Sequence, residues 1–581
     1  MVADTVPRSS RLLLVLAAVA IGFAAADTYV VVLALPDMMT TVGLEVEDIQ
    51  RAAPIISGFL LGYVAVLPLI GRVADLRGRV PVMLTCLVVF TLGSLVTAAA
   101  FDLPTMVAGR LLQGVGGGGL IPPTLALVAD LWPPHRRGLP LGVVGAVQEL
   151  GSVLGPLYGA VVLAFGTWRD IFWLNAAIGL VLAAALLALR GRVPVEDADL
   201  RHGRPDVVGA VLLALTFAAL CLTMLEPRSL VEGLTTGLAF LPVTGDSRWL
   251  SPVALTTGGL LVMFVLRQAT ARRPLVGWRS WPEVARETDL LGAAFLTVGL
   301  GAVIVAFASA DPERAGLPAD AAWLLPVALL AAAGFVWRQR VATAPLLPRR
   351  ALAARPAWGA LVVSFLVGAS LIAALVDIPF FARLTVYRDS QLDAALVLVR
   401  FLVALPVGAL LGGWLLRRVA PAPLTAVGML AAAASFAHMA TWDARSLEHP
   451  VETVSLVVAG LGFGLAIAPV NAVLLEHTAD AVHGVASALL VVARMVGMLI
   501  GISALTTIGL RAFYRASQDI PPAADLCGGQ ASACQAYRDA VRDAGIEQLH
   551  AVFVGAAVCA VTAAILSLGL LRRRASLPSS S

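Results

Sequence analysis

Lysine is absent from this chain, so all 41 of its basic side chains other than histidine are arginine. Charge of either sign is scarce. Asp, Glu, Lys and Arg together make up 13% of the 581 residues, whereas a soluble domain is about a quarter charged. That shortage excludes an ordinary soluble globular protein. Histidines are few as well, seven in all. No H-E-x-x-H pair, P-loop or G-x-S-x-G nucleophile turn occurs, so the common hydrolase and nucleotide-binding chemistries have no foothold. The net charge of +4 is carried by arginines at the ends of apolar runs, not in one patch, which argues against nucleic acid as a partner. What the chain has instead is apolar length: 59% hydrophobic residues and a mean hydropathy of +0.89. It reads as an all-α, polytopic membrane protein and not an enzyme.

A spanning helix needs about 20 apolar residues. By that rule six spans fall near 11–36, 52–70, 81–101, 103–131, 138–164 and 169–190. Six more fall near 356–384, 391–416, 422–442, 452–475, 484–510 and 550–571. The first run is too long for a signal-peptide core of about 7–15 residues and contains Asp27, so it reads as a span. Between the two sets lies a long middle, 191–355, with apolar segments at 205–226, 251–268, 287–309 and 321–339. This middle repeats itself. Asp206-Val207-Val208-Gly209-Ala210 is echoed by Asp289-Leu290-Leu291-Gly292-Ala293, and Val265-Leu266-Arg267-Gln268 by Val336-Trp337-Arg338-Gln339. The repetition implies a duplicated helical hairpin. The expected organisation is therefore 1–190 as an N-terminal bundle, 191–355 as linker, and 356–581 as a C-terminal bundle with an extension at 511–549. The span count is about sixteen, or fourteen if one linker pair is interfacial or re-entrant.

Arginine placement orients the chain. Arg8 and Arg11, Arg72, Arg77 and Arg79, Arg136 and Arg137, Arg417 and Arg418, and Arg572-Arg573-Arg574 fall on alternate loops. Both termini are then expected in the cytoplasm. Cys86, Cys221 and Cys559 lie in apolar runs as packing residues. Cys527 and Cys534 flank a polar Gly/Ser-rich stretch in a segment that faces outward on this topology, and make a disulfide candidate.

A few charges interrupt the apolar runs, and these carry the chemistry. An ionisable group at mid-bilayer costs about 2.5–3.5 kcal/mol on insertion scales, so it normally faces a bundle interior and has a partner. Asp27 is the candidate protonation site, with a fixed ion pair as the bland alternative. Arg110, always charged and able to fork its hydrogen bonds, is its natural partner. Glu149 needs a cation; Arg400 and Arg494 both interrupt apolar spans of the second half. Gly151, Gly155 and Gly159 recur every fourth residue as a strip for close helix packing, and Pro156 permits a bend there. The short polar cassette Gly71-Arg72-Val73-Ala74-Asp75-Leu76-Arg77-Gly78-Arg79 concentrates charge at a tight turn. Its carboxylate, Asp75, can bind a neighbouring helix N-terminus or an arginine. Asp377 reads as a cap or rim residue, and His135, His477 and His483 as helix-end groups in contact with water or headgroups.

The cassette resembles the signature loop between spans two and three of the major facilitator superfamily, and the Arg110 and Gly151–Gly159 segments resemble its fourth-span and antiporter motifs. The segments 27–32, 60–63, 400–414 and 488–505 are similar to the drug:proton antiporter branch, and within it to mycobacterial triacylglyceride and drug efflux transporters that work with a periplasmic lipoprotein. This resemblance implies a major facilitator fold of two six-helix bundles, here joined by extra transmembrane helices. It implies proton-driven export of lipid from the inner membrane by alternating access, with no cofactor beyond the proton gradient, no metal and no catalytic residue. It makes Asp27, Arg110, Glu149, Arg400 and Arg494 the proton-coupling and ion-pair set. Arg400 is the first candidate partner of Glu149, because the fifth span faces the eighth core span in the family. Gly71, Asp75, Arg77, Gly78 and Arg79 become a conformational lock on the cytoplasmic side. The expected partners are membrane lipids or amphipathic drugs and a periplasmic lipoprotein lipid carrier; the chain is expected to act as a monomer. A multidrug antiporter and a non-transporting scaffold are the alternatives.

Overall fold

A computed structural model describes residues 8–44, 49–190, 206–233, 235–244, 248–271, 288–308, 321–343, 345–347, 351–387, 391–518, 520–522 and 535–572. Among them every regular element is a helix, with no strand. The first half holds α1 (Arg8–Thr41), α2 (Ile49–Ala65), α3 (Leu67–Arg77), α4 (Arg79–Ala98), α5 (Leu103–Gly118), α6 (Ile121–Leu131), α7 (Gly138–Phe165) and α8 (Trp168–Arg190). The linker holds α9 (Val207–Leu225), α10 (Pro252–Thr270), α11 (Leu290–Ala308) and α12 (Ala321–Val341). The second half holds α13 (Arg355–Leu384), α14 (Gln391–Leu415), α15 (Pro421–Met439), α16 (Pro450–Glu476), α17 (His483–Gln518) and α18 (Gln535–Leu570).

Fourteen described stretches are long and apolar enough to cross a membrane, and the bent α7 makes a fifteenth. The shorter apolar stretch of α11, Leu290–Ala306, still spans about 25 Å at 1.5 Å per residue. Two of the expected single spans are each built from two helices. Pro68, which lacks an N–H, sits in the first turn of α3 just after the α2–α3 junction at Val66. A glycine run followed by Pro122 and Pro123 likewise separates α5 from α6. α7 bends by 41° between Ser152 and Leu157, a break that brackets Pro156. α17 and α18 have 36 residues each, about 54 Å of helix, so both outrun a hydrocarbon core of about 30 Å.

The two halves form two six-helix bundles. One apolar core gathers Leu13, Ile21, Phe59, Tyr63, Met83 and Phe90 and runs across the seam to Leu475, Ala488, Val491 and Val492; the other gathers Phe381, Phe401, Phe436, Trp442, Phe463 and Phe553 within the second half. The bundles touch at the end that carries the arginine-rich turns. There α7 meets α14, with Gly138 against the Gly413 carbonyl and Gly142 against Ala409, and α3 meets α17 at Gly71 and Gly484.

The two linker hairpins, α9–α10 and α11–α12, share one clasp. Asp206 caps α9 by accepting from the Gly209 amide (3.1 Å) and pairs with Arg267 at 2.9 Å. Asp289 accepts from the Gly292 amide (3.0 Å) and pairs with Arg338 at 2.8 Å. The repeated residues of the sequence thus occupy equivalent places. Asp206 stands just outside its span, where the Arg267 guanidinium and then the Gly209 amide hold its carboxyl below the ordinary carboxylate range.

Candidate functional site

Asp27 is 1% exposed and Arg110 fully buried, and the pair closes at 2.7 Å between Oδ2 and Nη1. Both carboxylate oxygens are engaged. Asn175 Nδ2 donates to Oδ1, and Gln113 Nε2 lies 3.4 Å from the same oxygen. Arg110 also donates to Gln113 Oε1 (2.8 Å) and to the Ile55 carbonyl (3.3 Å). Its guanidinium stacks 4.3 Å from the centre of the Phe59 ring. Gln113 in turn donates to Ser94 Oγ (2.9 Å), and Tyr158 Oη lies 3.1 Å from Asn175 Oδ1. The result is a polar network in an apolar bundle, contributed by α1, α4, α5, α7 and α8. Every member so far named belongs to the first bundle. A buried charge persists only with such satisfaction, because an unpaired one costs several kcal/mol.

The glycine strip of α7 is what brings this network together. Gly151 faces the Gly22 carbonyl, Gly155 the Ala26 carbonyl and Gly159 the Val30 side chain, so α7 lies on α1 on both sides of Asp27. Backbone contact this close leaves no room for any Cβ.

Glu149, two residues or about half a turn before the strip, looks the other way, toward the second bundle. Its Oε1 lies 3.5 Å from Arg494 Nη1 on α17. Arg494 also lines a cavity between the bundles, otherwise walled by Leu141, Val144, Val367, Ile467 and Leu490, with Gln148 and Asn471 as its amides. The expectation that Arg400 is the first partner of Glu149 is therefore corrected. Arg400 donates to Thr453 Oγ1 at 2.9 Å within its own bundle. α7 and α14 do pack on each other, but their close approach is at Gly138–Gly142 and Ala409–Gly413. In that antiparallel register Arg400 is roughly level with Glu149, but its guanidinium turns to Thr453 of α16, and Glu149 meets Arg494 of α17 instead.

Asp75 crosses the seam at the arginine-rich end. It accepts from the Gly484 amide (2.8 Å, Oδ1) and the Val485 amide (3.0 Å, Oδ2), the free donors at the start of α17. Arg79 pairs with Asp75 and reaches Asp130 Oδ2 (3.2 Å) and the Asp480 carbonyl (3.3 Å). Gly71 lies directly against Gly484. Gly78 turns the chain between α3 and α4 at φ +90°, a conformation that L side chains rarely adopt. Arg77, half-buried, ends α3. His483, expected in contact with water or headgroups, is instead fully buried beside this seam. Its Nε2 lies 3.0 Å from the Leu475 carbonyl, so it fastens α16 to α17. His135 is exposed, and Asp377 is half-buried on α13. Cys527 and Cys534 lie outside the described residues; Cys86 is buried, and Cys221 and Cys559 are half-buried. Among the described residues no cluster of metal-binding side chains occurs.

Asn175, Gln113 and Tyr158 are the network members that charge-based reading passes over. Their signal lies in the sequence: an amide or hydroxyl left unpaired in the middle of an apolar run costs roughly 2–7 kcal/mol, less than a charge but enough to require a partner.

Two helical bundles closing on a shared seam, each carrying buried polar groups at mid-span, define a membrane transporter. The sequence pattern of the Major Facilitator Superfamily matches residues 17–502, and the chain belongs to that superfamily. It is 37% identical over 573 residues to a triacylglyceride transporter of Mycolicibacterium hassiacum, covering 96% of this chain and 91% of that one. It is 34% identical over 540 residues to the triacylglyceride transporter of Mycobacterium tuberculosis, covering 90% and 88%. Among solved structures, the proton:xylose symporter XylE superposes with a TM-score of 0.51 at 14% identity, covering 97% of this chain and 95% of that one. The human organic anion transporter MFSD10 gives 0.50 at 16%, covering 97% and 100%. These structures share the fold alone. The chain is thus an integral multi-pass membrane protein of a family of transporters, not of enzymes.

Proposed function

We propose that this protein is a proton-coupled exporter that moves triacylglyceride-like lipid out of the inner membrane by alternating access. The observation that carries this reading is the cavity between the bundles. Its wall is mainly aliphatic, with Gln148, Ser364 and Asn471 as uncharged polar members, and its charged side chain, Arg494, pairs across the seam with Glu149. The relatives named as triacylglyceride transporters supply the substrate class.

In this reading 1–190 and 356–581 are the moving bundles and 191–355 is the linker. The arginine-rich end is cytoplasmic, so both termini are too, and the state described is closed inward. Asp75 on α17 is the latch of that state, assisted by Gly71, Arg77, Gly78 and Arg79. Asp27, held by Arg110 and the amides, is the carboxyl that exchanges the proton. Glu149 and Arg494 form a link that breaks when the bundles reorient. The strip of Gly151, Gly155 and Gly159 with the break at Pro156 lets α7 transmit the change from Asp27 to Glu149. Lipid leaving outward would pass to a periplasmic lipoprotein carrier, and the chain works as a monomer.

Reconstitution with a fluorescent triacylglyceride, with and without an imposed pH gradient, tests this directly. Gradient-dependent transport that Glu149→Gln abolishes is expected. Export of ethidium-like dyes with no glyceride movement would replace the lipid reading with a multidrug one. No transport of either would leave a scaffold.

A further inference from the structure

The two linker hairpins carry the same clasp but are not packed alike. In α9–α10 only 22% of each apolar stretch is buried, and the hairpin holds to itself, as in the Thr223–Thr257 hydroxyl pair at 3.2 Å. Its loop meets the first bundle through Trp249 and Arg248 on Phe101. α11 is different. Thr297 Oγ1 donates to the carbonyl of Ala65, the last residue of α2, at 3.1 Å. Four residues on, Gly301 lets α11 close on Leu61, whose Cδ1 would lie 2.9 Å from a Cβ there. Three residues further, Ile304 is fully buried in one apolar cluster with Phe59 and Tyr63 of the first bundle and Val491 and Val492 of α17. Its partner α12 faces outward, with 11% of its apolar stretch buried.

α11 therefore lies in the lateral crevice where α2 of one bundle meets α17 of the other. We propose that it is a fixed gasket, closing that crevice so that lipid tails reach the inter-bundle cavity sideways only along the opposite seam, between α7 and α14. No described linker helix is packed along α7 or α14. The inference rests on the lipid-transport reading. A molecule with three acyl chains crosses no polar surface cheaply, so its route into a carrier is lateral. Two rocking bundles present two lateral seams, and a helix filling one leaves a single path. The attachment is also asymmetric. A hydrogen bond and a glycine contact tie α11 to α2, whereas among the described residues α11 shares an apolar cluster with α17 but no hydrogen bond with it. α11 thus travels with the first bundle, and α17 slides past it.

The test uses the full chain in bilayers containing phosphatidylcholine with a photoactivatable diazirine in its acyl chain, and adducts are mapped by mass spectrometry. Adducts are expected on α7 and α14, for instance at Leu157 and Val403, and at least tenfold fewer at Val492. Gly301→Leu, which pries α11 from α2, is expected to raise labelling at Val492 about tenfold. A disulfide between Leu61→Cys and Gly301→Cys is expected to leave fluorescent triacylglyceride transport within about twofold of the reduced form. Equal labelling of both seams in the unaltered protein, or a tenfold loss of transport on forming that disulfide, overturns the gasket. Because tail mapping uses an ordinary bilayer lipid, one-sided labelling without glyceride transport would sink the substrate reading alone.

Discussion

Replacing Asp75 by alanine puts a number on the latch. In the closed state its two oxygens accept from the Gly484 and Val485 amides at 2.8 and 3.0 Å. Hydrogen bonds to a charged group contribute roughly 1.5–3 kcal/mol each, and an N-cap about 0.5–2 kcal/mol. The two bonds overlap with the cap and with the helix dipole, so a combined figure of about 2–4 kcal/mol is reasonable. Because Asp75 and α17 belong to different bundles, these contacts exist only while the arginine-rich ends are together. When the ends part, water satisfies both sides. The whole amount is therefore a difference between states, and at 1.4 kcal/mol per factor of ten Asp75→Ala moves the equilibrium about 30- to 700-fold toward the open end. Spin labels at His135→Cys and Arg417→Cys, exposed residues at that end on opposite bundles, report the separation. The unaltered protein is expected to give a short distance, Asp75→Ala a substantial longer population, and Asp75→Asn, which keeps one acceptor oxygen, an intermediate result. An unchanged distance distribution in Asp75→Ala would refute the latch.

Asp27→Asn keeps the side-chain shape but leaves buried Arg110 without its counter-charge, so transport is compared per folded protein; at least a tenfold loss of gradient-driven transport is expected, and normal transport would remove Asp27 from the mechanism. Arg494→Gln is expected to impair glyceride transport more than Arg400→Gln does if the Glu149 link is used in the resting state, and equal losses would place both arginines on the cycle. Gly151→Val is expected to abolish accumulation of folded protein, since the Gly22 carbonyl occupies the space its Cβ needs, whereas Gly258→Ala on α10, with open space around it, is expected to be silent in the same expression test. The clasp at Asp206 has a signed pH dependence. Its folded pKa is depressed, so its stabilisation is complete above the ordinary carboxylate value of about 3.9 and fades as pH falls through the lower folded value. Amide protection in the first turn of α9 should drop in Asp206→Asn at neutral pH and match the unaltered protein in strong acid.

What could be read from the residues alone follows from the cost of polarity in an apolar chain. Spans, the Asp27–Arg110 pair and the cassette are legible because each breaks a strong background, and the repeated Asp and Arg of the linker because they recur at matched offsets. What could not be read depends on register between helices far apart in sequence. Asn175 lies 148 residues from Asp27, and no spacing rule joins them. Arg400 and Arg494 interrupt two different spans as charges needing partners, and the sequence does not show that Arg400 is taken up by Thr453 of a neighbouring span while Arg494 reaches Glu149. The seat of α11 belongs to this second kind. Its apolar stretch looks like that of α9, yet Thr297, Gly301 and Ile304 fall on one helical face at spacings of four and three. A small polar residue, a glycine and a branched aliphatic residue there make a surface shaped for protein, where α12 presents one shaped for lipid. A polar or bulky residue at these positions would change which lateral seam is sealed, without touching any charge in the transport path. In this fold, route and coupling are therefore separable.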